Sequence, residues 1–135
     1  MSETENKQIV QSIFTELAQG NSRLLVEAMA DDFCWTVTGS NQWSRQYQGK
    51  AVVLKDLLGQ LSARIEGRVR VVAQRFIAEG DFVVVEARGN NITKDGRPYN
   101  NAYCFVIRLA DGKLREMTEY MDTELVTAVL GETAA

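Results

Sequence analysis

The chain contains no histidine. Ser-His and Cys-His nucleophile systems and imidazole metal sites are therefore excluded, and any proton transfer falls to carboxylates. In the second half a few polar residues stand among apolar and aromatic neighbours: Glu86 and Arg88, Asn101 and Tyr103, and Glu119. A carboxylate walled by apolar side chains has its pKa raised, because burial penalises the charged form, and it then takes up or releases a proton near neutral pH. Glu119 is the first candidate for that work, with Glu86, Arg88 and Tyr103 as helpers. Cys34 and Cys104 are lone cysteines with aromatic neighbours and read as buried, reduced thiols. Asp31-Asp32 reads as a solvated pair after a helix, and the glycines are dispersed at turns, so neither a metal nor a cofactor is expected.

The elements that must position these residues follow from hydrophobic period. Ile9, Val10, Ile13, Phe14 and Leu17 share one helical face, with Ser2 and Glu5 spaced as a capping box and Gly20 as the stop. Leu24, Leu25, Ala28 and Met29 repeat that spacing after Asn21-Ser22, and Val53, Leu54, Leu57, Leu58 and Leu61 repeat it after Gly49. Between these helices, residues 33–37 are aromatic and β-branched and read as a short strand. From residue 68 the period changes to two. Val69, Val71 and Ala73 alternate with Arg68, Arg70 and Val72, and strands over 82–87, 103–109 and 114–120 follow, separated by Glu79-Gly80-Asp81, Lys94-Asp95-Gly96 and Ala110-Asp111-Gly112. These strands predict a four-stranded antiparallel meander, and residues 123–130 a last helical turn or two before Gly131. Helices in front and a meander behind make an α+β fold in which a curved sheet wraps the long helices and leaves a cup.

At 135 residues, 45% hydrophobic and 24% charged, the chain is expected to form a single domain over residues 1–135. Its net charge of −3 and scattered Lys and Arg leave no basic face for a phosphate backbone, so nucleic acid is not an expected partner. No apolar run approaches the roughly 20 residues of a membrane span. The polar start Met1-Ser2-Glu3-Thr4-Glu5-Asn6 is unlike a signal peptide, and a cytoplasmic location is expected.

Several stretches, in this order, resemble the SnoaL-like branch of the nuclear transport factor 2-like superfamily, whose relatives include the ketosteroid isomerases. They are Ala30-Asp31-Asp32-Phe33-Cys34-Trp35, Gly49-Lys50-Ala51-Val52, Asp95-Gly96-Arg97-Pro98-Tyr99-Asn100-Asn101-Ala102-Tyr103 and Glu119-Tyr120-Met121-Asp122-Thr123. The resemblance spans nearly the whole chain and implies the cone-shaped α+β roll with an internal cavity. Members carry different chemistries on this one fold, so the fold alone does not choose among them. Ketosteroid isomerase needs an Asp base and a Tyr/Asp oxyanion hole. The positions corresponding to that Tyr and base hold Ile13 and Val37, and the second Asp falls near Tyr103 or Cys104. Against limonene epoxide hydrolase, Glu119 corresponds to one Asp, Trp35 and Val37 to the water-positioning pair, and, on condition that the loop is two residues shorter, Arg88 and Asn90 to the Arg and the other Asp. In polyketide cyclases of this branch one acid from the last strands transfers the proton, and Glu119 is the nearest match.

The resemblance also puts Asn101, Tyr103 and Phe105 on the cavity face of one strand. A three-residue Ala110-Asp111-Gly112 loop sets Tyr103 opposite Glu119 and Asn101 opposite Met121; a two-residue loop shifts the register by one. A two-residue Asp95-Gly96 turn sets Arg88 opposite Tyr103 with Glu86 on the same face, whereas a three-residue loop presents Ala87 and Gly89 instead. Glu86 and Arg88 have the alternative of an outward ion pair, and Glu119 that of an exposed acid beside Arg115. Trp35, Phe105, Met117 and Met121 are the expected apolar walls and ligand contacts. Trp43 and Tyr47, in the loop 40–48, either lid the cavity or seal a dimer interface. A homodimer is expected, because an open sheet face carrying Val69, Val71 and Val106 needs a cover. The implied function is proton transfer, of isomerase, cyclase or hydrolase type, on a small apolar organic ligand; the alternative is a non-catalytic binding or dimerisation module.

Overall fold

In the computed structural model of the chain, residues 1–131 are described; the last four residues of the expected domain, 132–135, lie outside them. Helix α1 spans Glu3–Leu17 and begins with the capping box, the Ser2 hydroxyl accepting from the Glu5 N–H at 3.1 Å and the Glu5 carboxylate accepting from the Ser2 N–H at 3.2 Å. Its buried face carries Val10, Ile13, Phe14 and Leu17. Helix α2, Arg23–Ala28, is shorter than its periodicity predicts, because the chain turns extended at Met29, with ψ 127°, and strand β1, Met29–Val37, begins there. After β2, Gln46–Gln48, helix α3 runs in three pieces, Lys50–Val52, Val53–Leu58 and Gly59–Ser62. The middle piece is π-helical, and Gly59, at its end, donates its N–H to the Leu54 carbonyl.

The meander consists of β3, Val71–Glu79; β4, Phe82–Gly89; β7, Ala102–Ala110; and β8, Lys113–Met121. A two-stranded ribbon, β5 (Asn91–Ile92) and β6 (Pro98–Tyr99), interrupts the passage from β4 to β7. The sheet order is β2-β1-β8-β7-β4-β3, antiparallel throughout except that β1 runs parallel to β8. Register shifts in β1, β3 and β8 bend the sheet around α1. Phe14 of α1 meets Phe76 and Phe105 at ring-centroid distances of 6.0 and 5.7 Å. A last helix, α4, comprises Thr123–Leu125 and a π-helical Val126–Leu130, with Gly131 at positive φ as its end. Buried side chains from α1, α3, α4 and the sheet join in one hydrophobic core. No helix among the described residues is long and apolar enough to cross a membrane.

Candidate functional site

Leu114 and Met117 of β8 both face the core, because an extra residue at Arg115 offsets the alternation between them, and Glu119, two residues on from Met117, shares their side of the sheet. Its backbone is fixed from β1: the Thr38 N–H and hydroxyl both donate to the Glu119 carbonyl, at 3.2 and 2.8 Å, and Val37 is its strand partner. On the other side Phe105 stands opposite. The Trp35 indole Nε1–H donates to Glu119 Oε1 at 3.0 Å. Some of Glu119's surface remains accessible, but it opens onto a cavity with apolar walls. Burial pushes the carboxyl from its ordinary 4.5 to about 7, and the indole hydrogen bond, which favours the charged form, offsets part of that rise.

The cavity holds about 350 Å³, near the lower end of the roughly 300–1,000 Å³ usual for small-molecule sites. Ile13, Phe14 and Leu17 of α1, Leu58 and Leu61 of α3, and Trp35, Phe105, Ile107 and Met117 of the sheet form its walls. Trp35 touches the rings of Phe33 and Phe105 edge-on. Tyr103 also lines the cavity, its ring stacked on Phe105 with centroids 5.2 Å apart. Burial, with Tyr99 and Glu119 adding to it, holds the Tyr103 hydroxyl well above its ordinary pKa of 10, so at neutral pH it is a neutral donor. Asn21, Ser22, Ser62, Gly67 and Arg68 complete the lining, and the last three are exposed, which marks this side as the mouth.

Other sequence-expected site residues are placed elsewhere. Glu86 and Arg88 stand on the outer face, because the loop after β5 closes with the Thr93 N–H on the Arg97 carbonyl, an odd-length connection that sets Ala87, not Arg88, opposite Tyr103. Glu86 pairs there with Arg75 at 3.3 Å, the outward ion pair that was the alternative. Asn101 is fully buried and committed to structure: its Nδ2 donates to the Asp122 carbonyl at 3.0 Å and the Tyr99 hydroxyl at 3.2 Å, while its Oδ1 accepts from the Asp122 N–H at 3.1 Å. Trp43 and Tyr47 are neither lid nor exposed interface. Both are buried, Trp43 donating to the Gly131 carbonyl and Tyr47 to the Trp43 carbonyl, each at 2.8 Å. Met121 packs at the edge of the core and is not among the lining residues. Val69 and Val71 line the cavity and do not belong to an open face. Arg68, Ser62 and Asn21 carry no mark in the sequence that would single them out. They come from three separate segments around the mouth, and no periodic signal links them. Among the described residues no group of three or more Cys, Asp or Glu side chains is placed to hold a metal ion.

A curved mixed sheet wrapped on α1, with a cavity between sheet and helices, is the architecture of the nuclear transport factor 2-like fold. The SnoaL-like domain family matches residues 10–117, most of the chain, and the chain belongs to that family. An NTF2-like protein of Burkholderia xenovorans is 26% identical, with a TM-score of 0.73 over 96% of this chain and 98% of that one. A putative SnoaL-like polyketide cyclase from Jannaschia is 20% identical, with a TM-score of 0.75 over 97% and 94%. TerC, co-crystallised with polyporic acid, is 20% identical, with a TM-score of 0.77 over 93% and 98%. No curated protein matches the sequence.

Proposed function

We propose that this chain moves a proton with the Glu119 carboxyl on a mainly apolar organic molecule held in the cup, as an isomerase or cyclase does. The carrying observation is the arrangement itself: one carboxyl, held by one indole hydrogen bond, among the aliphatic and aromatic inner walls of the cavity. A carboxyl with a pKa near 7 is matched to both halves of such a reaction at neutral pH. As base, Glu119 takes a proton from a carbon beside a carbonyl, and the electron pair passes to the carbonyl oxygen as an enolate, to which the Tyr103 hydroxyl donates. The neutral carboxyl then returns the proton to another carbon of the conjugated system, which is isomerisation. Alternatively, the enolate carbon attacks a second carbonyl of the same molecule and Glu119 protonates the resulting alkoxide, which is cyclisation.

The fold relatives, a putative polyketide cyclase and a protein co-crystallised with polyporic acid, support aromatic or polyketide-like molecules as the class to screen. The test is solvent deuterium incorporation into a panel of enolisable aryl ketones, followed by NMR. Glu119→Gln is expected to abolish incorporation that the wild type catalyses. Equal rates in both proteins, or no incorporation across the panel, would leave the second reading, a binding module without turnover. That reading has its own support: Ala87 and Gly89 face inward where Glu86 and Arg88 were expected, so Glu119 is the single carboxylate among the lining residues.

A homodimer belongs to the same proposal. The outer face carries a cross-strand row of Ile77, Val84, Val106, Thr118 and Thr36, with exposed Val72 and Phe82 nearby, and no described helix covers it. Sedimentation velocity is expected to give a dimer that Val106→Arg dissociates; a wild-type monomer at high concentration would sink this part.

A further inference from the structure

Two charged side chains line the cup, Glu119 at its inner end among buried Trp35, Phe105 and Met117, and Arg68 at its exposed mouth. Six other arginines, Arg23, Arg45, Arg75, Arg97, Arg108 and Arg115, each pair with a carboxylate. Arg68 makes no hydrogen bond or ion pair among the described residues. Its stem is nonetheless held in place. Gly20, at φ +80°, closes against it so tightly that a Cβ on Gly20 would lie 2.8 Å from the Arg68 Cβ. The lining also holds neutral donors, among them the Ser22 and Ser62 hydroxyls and the Asn21 Nδ2 amide; the Asn21 carbonyl oxygen is engaged by the Arg23 N–H at 3.0 Å.

Resting on the proton-transfer reading of Glu119, we propose that the ligand of this cup is an organic anion, an apolar body ending in a carboxylate or an equivalent acidic group, which docks with its charge on Arg68 at the mouth. The polarity of the cup fixes the orientation. An anion placed at the inner end would meet the Glu119 carboxylate in a low-dielectric setting, where like charges repel strongly. At the mouth the same group gains a guanidinium fork, neutral donors and water. Tyr103, the remaining titratable group of the lining, is neutral and offers no competing charge. The charged end therefore stays outside while the apolar body, with its reacting carbon, extends toward Glu119. The anchor selects substrates by charge without entering the chemistry.

The experiment is calorimetric titration of the full chain at pH 8 with 2-naphthylacetate and its neutral isostere 2-naphthylacetamide. The wild type is expected to bind the anion about fivefold more tightly, as a solvent-accessible charge-assisted contact allows. Arg68→Gln should bring the two probes to equal affinity, and Arg68→Lys should keep part of the preference. Arg68 is exposed, so neither variant threatens folding. Glu119→Gln should leave the preference in place. Equal binding of both probes by the wild type, binding of neither, or a preference that survives Arg68→Gln overturns the proposal. Should the preference depend on Arg68 while Glu119→Gln leaves deuterium incorporation unchanged, the anion anchor stands and the proton-transfer reading falls. Should Glu119→Gln abolish incorporation while the preference is indifferent to Arg68, the anchor falls and the proton-transfer reading stands.

Discussion

Trp35 and Glu119 lie 84 residues apart in sequence, yet the parallel pairing of β1 with β8 brings the indole Nε1–H to 3.0 Å from the carboxylate Oε1. This bond opposes the burial that raises the Glu119 pKa. Trp35→Phe keeps an aromatic wall and removes the donor, so the charged form loses its partner. Hydrogen bonds to charged groups contribute about 1.5–3 kcal/mol, so the carboxyl should titrate about one to two units higher in this variant. A wild-type-like titration in Trp35→Phe would show that the contact does not hold in solution.

Stability carries the same signature. The Glu119 pKa is raised on folding, from 4.5 to about 7, so the folded chain binds this proton more tightly than the unfolded one. The stability contribution is fully present below pH 4.5, declines as pH rises through the interval, and is lost above about 7. Glu119→Gln, which cannot ionise, should be about 1–3 kcal/mol more stable than wild type at pH 8 and nearly equal to it at pH 4.5, measured by urea denaturation at both. An equal difference at the two values would contradict a buried ionisation.

Asn101 is predicted to be a structural residue. Truncation to Ala would orphan the Asp122 N–H and remove one of the two donors to its C=O, the Val126 N–H being the other, where β8 hands over to α4. The expected cost is about 2–4 kcal/mol in chemical denaturation, with ligand affinity at the cup unchanged once the protein is folded. A selective loss of binding without loss of stability would return Asn101 to the site.

The outward ion pair yields a contrasting prediction. Glu86 and Arg75 are about half exposed or more, so Glu86→Gln should change stability by less than about 0.5 kcal/mol and leave turnover intact. A fall in turnover comparable to that of Glu119→Gln would mean that Glu86 reaches the cup after all.

Much of the frame was legible because period is a local property. The apolar face of α1, its capping box and the four meander strands follow from spacing within each segment. Register was less legible, because it depends on loop closure and on bulges. Ala110 pairs with Lys113 across a two-residue turn, which alone would have turned Glu119 to the opposite face. Arg115 then adds an extra residue to β8, the parity is restored, and Glu119 ends opposite Phe105 instead of Tyr103, on the face that the family resemblance implied. The same sensitivity put Glu86 and Arg88 outside, where an odd-length connection replaced the expected two-residue turn. Trp43 and Tyr47 looked like loop aromatics awaiting a ligand or partner. Their polar atoms are instead satisfied by backbone carbonyls from the chain's own end and loop, contacts that no local pattern announces.

The most direct measurement is a ¹³C NMR titration of the glutamate side-chain carboxyls, with Glu119→Gln used to assign the missing resonance. A Glu119 midpoint near pH 7 is the predicted result, the mark of a carboxyl enclosed in an apolar cup and poised for proton transfer. A midpoint near 4.5, the ordinary glutamate value, would mean a solvated carboxylate and would contradict the proposed role of Glu119.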